Sequence, residues 1–326
     1  MGTGIYAITG SEAGVGRTTT TLQLGMALER AGYNVVVADV DLEMAGLVGV
    51  LGFRPGATVQ DVLTRAASIN DAIVDGPGGL TIVPADPEGV DINEENPKLE
   101  RVIEPLIAAH DIVLLDTPPK LHPLNRAIIE YADGVVIATT ADVTAADTVE
   151  KLVKASDILY TDVLGLVVTH TDEMTDVASV VTELDQPAIT TVPVSTVLAD
   201  SPSHEDVEPS VKAAYDRLGA VVGAHVDGEP DENLLALTVP AARAGEGVQQ
   251  GWTPEPVTAE KTPDAGTTAD EEGERADETP STIRDRLSGL GSRVGGLLGG
   301  KADSSSSTTE EDEVNPLDEL EDSNDE

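Results

Sequence analysis

Three aspartates and one glycine-rich run are the residues of this chain whose types and spacing could do chemistry. The run is Gly10-Ser11-Glu12-Ala13-Gly14-Val15-Gly16-Arg17-Thr18-Thr19, set between an apolar stretch, Ile5 to Ile8, and a helix-like pattern from Thr20 to Arg30. Strand, glycine loop and helix in that order make a cradle for an anion. Glycines let successive backbone N–H groups turn inward, and the helix start adds partial positive charge. Gly14, Val15, Gly16, Arg17, Thr18 and Thr19 are the expected anion-binding residues, and the Thr18 hydroxyl is placed for Mg²⁺. The strict pattern G-x-x-x-x-G-K-[ST] is not met, because Ser11 stands at the first glycine and Arg17 at the lysine. Asp39 and Asp41 follow the apolar run Val35 to Ala38, and Asp116 follows Ile112 to Leu115. A carboxylate at the end of a buried strand is held rigidly enough to orient a Mg²⁺-bound water, which makes Asp39, Asp116 and Thr18 the candidate metal residues.

The elements that must position these groups alternate along the chain. Short runs rich in Val and Ile are expected as strands near 5–9, 35–39, 80–84, 112–116, 135–139, 164–169 and 189–194. Longer amphipathic stretches are expected as helices near 18–31, 59–67, 99–109, 123–131, 145–158, 177–184 and 209–224. Several strands are apolar throughout, as when both sheet faces are covered, so the fold expected is a doubly wound, mostly parallel α/β sheet. Ligands in such sheets sit beyond the carboxyl ends of the strands, where Asp39, Asp41 and Asp116 fall.

At these residues the chain resembles the MinD/ParA group of P-loop ATPases, whose deviant Walker A loop reads K-G-G-x-G-K-T-T. Aligned without gaps, Gly14, Val15, Gly16, Thr18 and Thr19 match. Glu12 stands where the group has its signature lysine, Ala13 replaces a glycine, and Arg17 replaces the phosphate-binding lysine. The Asp116-Thr117-Pro118-Pro119 run is similar to the group's second switch, and Asp39-x-Asp41 to its first. The resemblance covers residues 1–222. It implies ATP and Mg²⁺ as cofactors, Asp41 and Asp116 as the catalytic pair around the attacking water and the metal, and a nucleotide-dependent homodimer. It also implies that Glu12 faces a partner's nucleotide. At Thr169-His170 the group often carries Asn-Arg for base contact, so base identity is open here.

Composition narrows the setting. The chain has 326 residues and a formal net charge of −41, with 60 acidic against 19 basic side chains. The excess is shared, since residues 1–222 carry 34 acidic and 12 basic side chains, net −22. Such a domain repels itself in dilute buffer, but at molar salt the Debye length is only about 3 Å. Together with seven lysines and 2% aromatics, this points to the cytoplasm of a salt-accumulating cell. Cysteine is absent, which excludes disulfides, thiolate nucleophiles and Cys-ligated metal. No signal-peptide pattern precedes the first strand, and no run of 18 apolar residues occurs, so membrane contact is expected to be peripheral.

Beyond the α/β domain (1–224) the periodicity fades. Residues 225–280 are acidic and rich in Pro, Gly and Thr, as expected of a disordered linker. Residues 281–300 carry Ile283, Leu287, Leu290, Val294, Leu297 and Leu298 at helical spacing, with Arg284, Arg286 and Arg293 against Asp285. A basic amphipathic helix of this kind anchors at a membrane surface or binds a partner protein. An acidic tail, 301–326, follows. Three functions are therefore open: a MinD-like switch that holds peripherally to membrane and positions cellular machinery, a non-hydrolysing scaffold of the same fold, and a ParA-like DNA-segregation ATPase. The last is disfavoured because a domain at net −22 has few cations for DNA phosphates.

Overall fold

The computed structural model describes residues 2–90, 92, 97–119, 122–142, 145–184 and 186–228. The expected linker beyond residue 228, the basic helix at 281–300 and the tail at 301–326 lie outside the described residues. Runs of Val, Ile, Leu and Ala form the strands because β-branched side chains pack well on a pleated, doubly covered sheet. In chain order the elements are β1 (Gly4–Gly10), α1 (Arg17–Arg30), β2 (Val35–Asp39), α2 (Gly46–Leu51), α3 (Val59–Thr64), α4 (Ile69–Ala72), β3 (Val74–Asp75) and β4 (Thr81–Val83). There follow α5 (Glu100–Ile107), β5 (Ile112–Asp116), α6 (Pro123–Tyr131), β6 (Gly134–Thr139), α7 (Ala146–Leu159), β7 (Asp162–Thr171), α8 (Val177–Leu184), β8 (Ala188–Pro193), α9 (Thr196–Asp200) and α10 (Pro209–Val226).

The strands lie in the order β3-β4-β2-β5-β1-β6-β7-β8. All pairings are parallel except β3 with β4, an antiparallel edge. Alternate strand residues feed two core layers. Ile5, Ala7, Val113, Leu115, Val135 and Ile137 face α3, α5, α6 and α7. Tyr6, Ile8, Ile112, Leu114 and Val136 face α1 and α10. The chain passes from β5 on one side of β1 to β6 on the other, so the order reverses around β1. The loop leaving β1 therefore opens into the crevice at the carboxyl edge where such sheets hold ligands. Four short elements, α2, α4, β3 and α9, were not among the sequence expectations, and α10 runs to Val226 rather than ending at 224.

Candidate functional site

The glycine loop is pinned at both ends. Ser11 is fully buried; its N–H donates to the Ala138 carbonyl at 3.1 Å, and its hydroxyl lies 3.2 Å from that of Thr139. A serine at the first-glycine position thus roots the loop on β6. Gly14 and Gly16 both sit at φ +83°, a left-handed conformation that costs side-chain-bearing residues energy. Val15 between them is buried, and its carbonyl accepts the Thr169 hydroxyl at 2.9 Å. Gly16 caps α1 with no side-chain hydrogen bond, and no acidic residue stands in the helix's first turn. The first-turn N–H groups and the positive helix end are therefore available to an anion. Glu12, Ala13 and Gly14 form the exposed crest.

Opposite the loop, Asp39 and Asp116 are register partners on adjacent β2 and β5. Both are buried. Asp39 accepts the Asp41 N–H at 3.1 Å and the Leu47 N–H at 3.0 Å. Burial, and the Asp116 charge beside it, hold its carboxyl well above the ordinary carboxylate range despite those bonds. Asp116 is pushed up to about 6, chiefly by burial, against the pull of the Thr18 hydroxyl and the Arg17 charge. Thr21, in the second turn of α1, also reaches Asp116, its hydroxyl 3.4 Å from Oδ1. The other oxygen, Oδ2, is buried with no hydrogen-bond partner. Thr18 packs against Gly46, where a Cβ would lie 2.5 Å from its hydroxyl. Asp41 accepts the Met44 N–H at 3.1 Å and is likewise raised by burial.

Arg17 bridges the two halves. Its stem folds across Gly10, so close that a Cβ there would stand 2.6 Å from Arg17 Cγ and Cδ. Its Nη2 donates to Asp41 Oδ2 at 3.4 Å, with side chains 10% and 5% exposed. That contact is long and single, whereas arginine's planar fork favours two parallel bonds. Nη1 is buried and unpartnered. The centre therefore holds a guanidinium edge without an acceptor and a carboxylate oxygen without a donor. An anion suits the first and a cation the second.

Beside Gly16 and Thr19 a cavity of about 140 Å³ opens between the ends of β7 and β8, bordered by Thr169, His170, Val194 and Ser195 among others. A family description, AAA domain, matches residues 3–164. An uncharacterized ATP-binding protein of Methanocaldococcus jannaschii is 32% identical over 195 residues, covering 57% of this chain and 73% of the relative. The chain belongs to the MinD/ParA family of P-loop ATPases. The septum site-determining protein MinD of Synechocystis is 33% identical over 163 residues, 47% of this chain and 60% of that protein. MinD from Pyrococcus horikoshii, solved in complex with Mg-ADP, superposes with a TM-score of 0.61 at 22% identity. It covers 70% of this chain and 99% of its own, and shares the fold.

Of the residues expected from sequence, Arg17, Thr18, Asp39, Asp41 and Asp116 converge beneath the loop formed by Gly14, Val15 and Gly16. Thr19 lies on the cavity side and Glu12 on the crest. Among the described residues no three His, Cys, Asp or Glu side chains gather as a metal cage. A family site that holds Mg²⁺ through few protein oxygens and the ligand's phosphates needs no such cage. Gly10, Thr21 and Thr169 were not foreseen as site residues. Gly10 precedes the loop, and Thr21 lies one helical turn beyond Arg17, a spacing that could have signalled it.

Proposed function

We propose that the chain is a nucleotide-operated switch of the MinD type. A nucleoside triphosphate binds on the loop with Mg²⁺, two copies close on each other, and the pair holds peripherally to membrane through residues 281–300 to position other machinery. The observation that carries this reading is the pair of unmet groups at the centre, Arg17 Nη1 and Asp116 Oδ2. Phosphate oxygens would take the backbone N–H groups of Gly14 to Thr19 and the guanidinium of Arg17. Thr18 and Asp116 would hold Mg²⁺, with Asp39, already bound to two backbone N–H groups, fixing the strand ends around them. Bound Mg²⁺ supplies charge neutralisation for the phosphates. Asp41, released from Arg17, is then positioned to accept a hydrogen bond from a water.

The likeness to MinD proteins supports the positioning role and the dimer. One basic amphipathic segment binds a membrane weakly, and pairing two multiplies the effect through effective concentration. Flotation of the full chain on anionic liposomes in molar KCl, with and without Mg-ATP, tests this. Nucleotide-dependent flotation is expected; equal recovery in both conditions would reject the switch.

A second reading, a scaffold of the same fold that does not hydrolyse, is favoured by one feature: Arg17 is engaged by Asp41. Its test is phosphate release by the natural chain and by the Glu12→Lys, Arg17→Lys double variant. Turnover that appears only in the variant supports the scaffold, and turnover in the natural chain removes it.

A further inference from the structure

We propose that Asn125 is a positioning residue for the metal end of the site: its buried amide holds the chain leaving β5, so that Asp116 keeps the place from which it meets Mg²⁺. The inference rests on the nucleotide and Mg²⁺ reading above and adds a residue of α6 to it. It starts from a polar side chain in an apolar stripe. Asn125, Ile128, Ile129 and Ala132 follow one another at helical spacing along α6, and all four are buried, Asn125 to 1% exposure. The three apolar residues belong to the core layer that α6 shares with β1 and β5. An amide buried there costs free energy unless it is bonded, so its contacts rather than its packing account for it.

Asn125 Nδ2 donates to the Pro118 carbonyl at 3.1 Å. Pro118 and Pro119 have no N–H, so the chain beyond Thr117 is fixed through its carbonyls and side chains. The Thr117 hydroxyl has two acceptors in reach, the Ile8 carbonyl at 3.1 Å and the Pro118 carbonyl at 3.2 Å. Its single proton cannot serve both fully. While Asn125 supplies the Pro118 carbonyl, that proton is left for Ile8, which also accepts the Thr117 N–H at 3.3 Å. Ile8 is the register partner of Asp116 across β1 and β5. On the other side the Asp116 carbonyl accepts the Val40 N–H at 2.9 Å, so it is the tie to β1 that depends on Thr117. Asp116 Oδ2 has no hydrogen-bond partner, and its aim follows the backbone that carries it. Asn125 thus acts on Asp116 through Thr117. Without the amide, Pro118 draws the Thr117 proton away and the long N–H bond alone is left to Ile8.

The test is calorimetric binding of ATP to the full chain in molar KCl, with Mg²⁺ and with EDTA, together with amide hydrogen exchange of the ligand-free chain. Asn125→Leu keeps the stripe apolar and the helix intact. It should speed exchange of the Thr117 amide and cut the affinity gained from Mg²⁺ by about fivefold to tenfold, leaving affinity in EDTA unchanged. Asn125→Gln, which keeps an amide donor, should restore much of that gain. Thr117→Val should reproduce the loss, and the Asn125→Leu, Thr117→Val double variant should be no worse than either alone, because the two act in series. Equal weakening with Mg²⁺ and with EDTA, or additive losses in the double variant, overturns the role. An unchanged Mg²⁺ dependence in Asn125→Leu overturns it while leaving the nucleotide reading intact. No binding of ATP by the natural chain overturns both.

Discussion

Replacing Asp116 by Asn tests whether the centre is built around a carboxylate that needs a cation. The pKa of Asp116 is raised from the ordinary 3.8 to about 6, burial being the main cause. Between those values the folded chain binds a proton that the unfolded chain does not. Stability from this group therefore increases as pH falls through about 6, and the gain is complete below the unfolded value. Two pH units at 1.36 kcal/mol each bring the cost of holding Asp116 ionised at neutral pH to about 3 kcal/mol. Asparagine keeps an oxygen for the Thr21 hydroxyl and puts an uncharged NH₂ where the unpartnered oxygen stands. Urea unfolding in molar KCl from pH 4.5 to 8 should give a difference curve, variant minus natural chain, that rises with pH by about 2–3 kcal/mol. Comparing the two chains cancels most of the titration of other carboxylates. Saturating Mg-nucleotide should flatten the curve, because a bound cation favours the ionised form. A flat or inverted difference curve without ligand would refute the reasoning.

Three further outcomes follow from the same contacts. Gly10→Ala places a Cβ 2.6 Å from the Arg17 stem; it should displace that side chain, cost about 1–3 kcal/mol and weaken nucleotide binding, as read by urea melts and calorimetry. Thr169→Val removes the donor to the Val15 and Thr139 carbonyls without changing volume much. It should cost about 1–3 kcal/mol and speed amide hydrogen exchange at Val15 and Gly16. Tyr6 is fully buried on β1 and its hydroxyl lies 2.8 Å from His225 Nδ1 near the end of α10. Tyr6→Phe should cost about 1 kcal/mol in urea melts and leave nucleotide affinity unchanged, because that contact lies at the opposite edge of the sheet.

The parts of this fold that were legible in sequence are those whose cause is local. Val35–Asp39 and Ile112–Asp116 end where the sequence expects because four apolar residues and an aspartate specify both a buried strand and its exit from the core. The β3–β4 edge was not legible: two residues, Val74 and Asp75, carry no period, and only their antiparallel register with Ile82 and Thr81 makes them a strand. The short α2, Gly46–Leu51, carries two glycines and is held by the Leu47 N–H on Asp39, a contact eight residues away.

The chemistry of the centre divides in the same way. The three aspartates could be named from their position after apolar runs, but their electrostatics could not. The Asp116 charge adds to burial in raising Asp39 because β2 and β5 are neighbours in the sheet, although β3 and β4 intervene in the chain. Reading Arg17 as a lysine substitute identified the charge but not its destination. Its course follows from the missing Cβ at Gly10 and from Asp41, 3.4 Å away in space but 24 residues away in sequence. On the proposed function, a phosphate that takes the free Nη1 edge would draw on the same guanidinium that Asp41 holds through Nη2. Asp41, the aspartate expected to orient water, would on that reading be restrained by Arg17 until the ligand arrives. An arginine, with two edges, can pass from one acceptor to the other without losing both, which a single ammonium held at one point cannot do as readily. Read this way, the substitution at position 17 couples occupancy of the cradle to release of Asp41, and the Arg17→Lys exchange should loosen that coupling whether or not it speeds turnover.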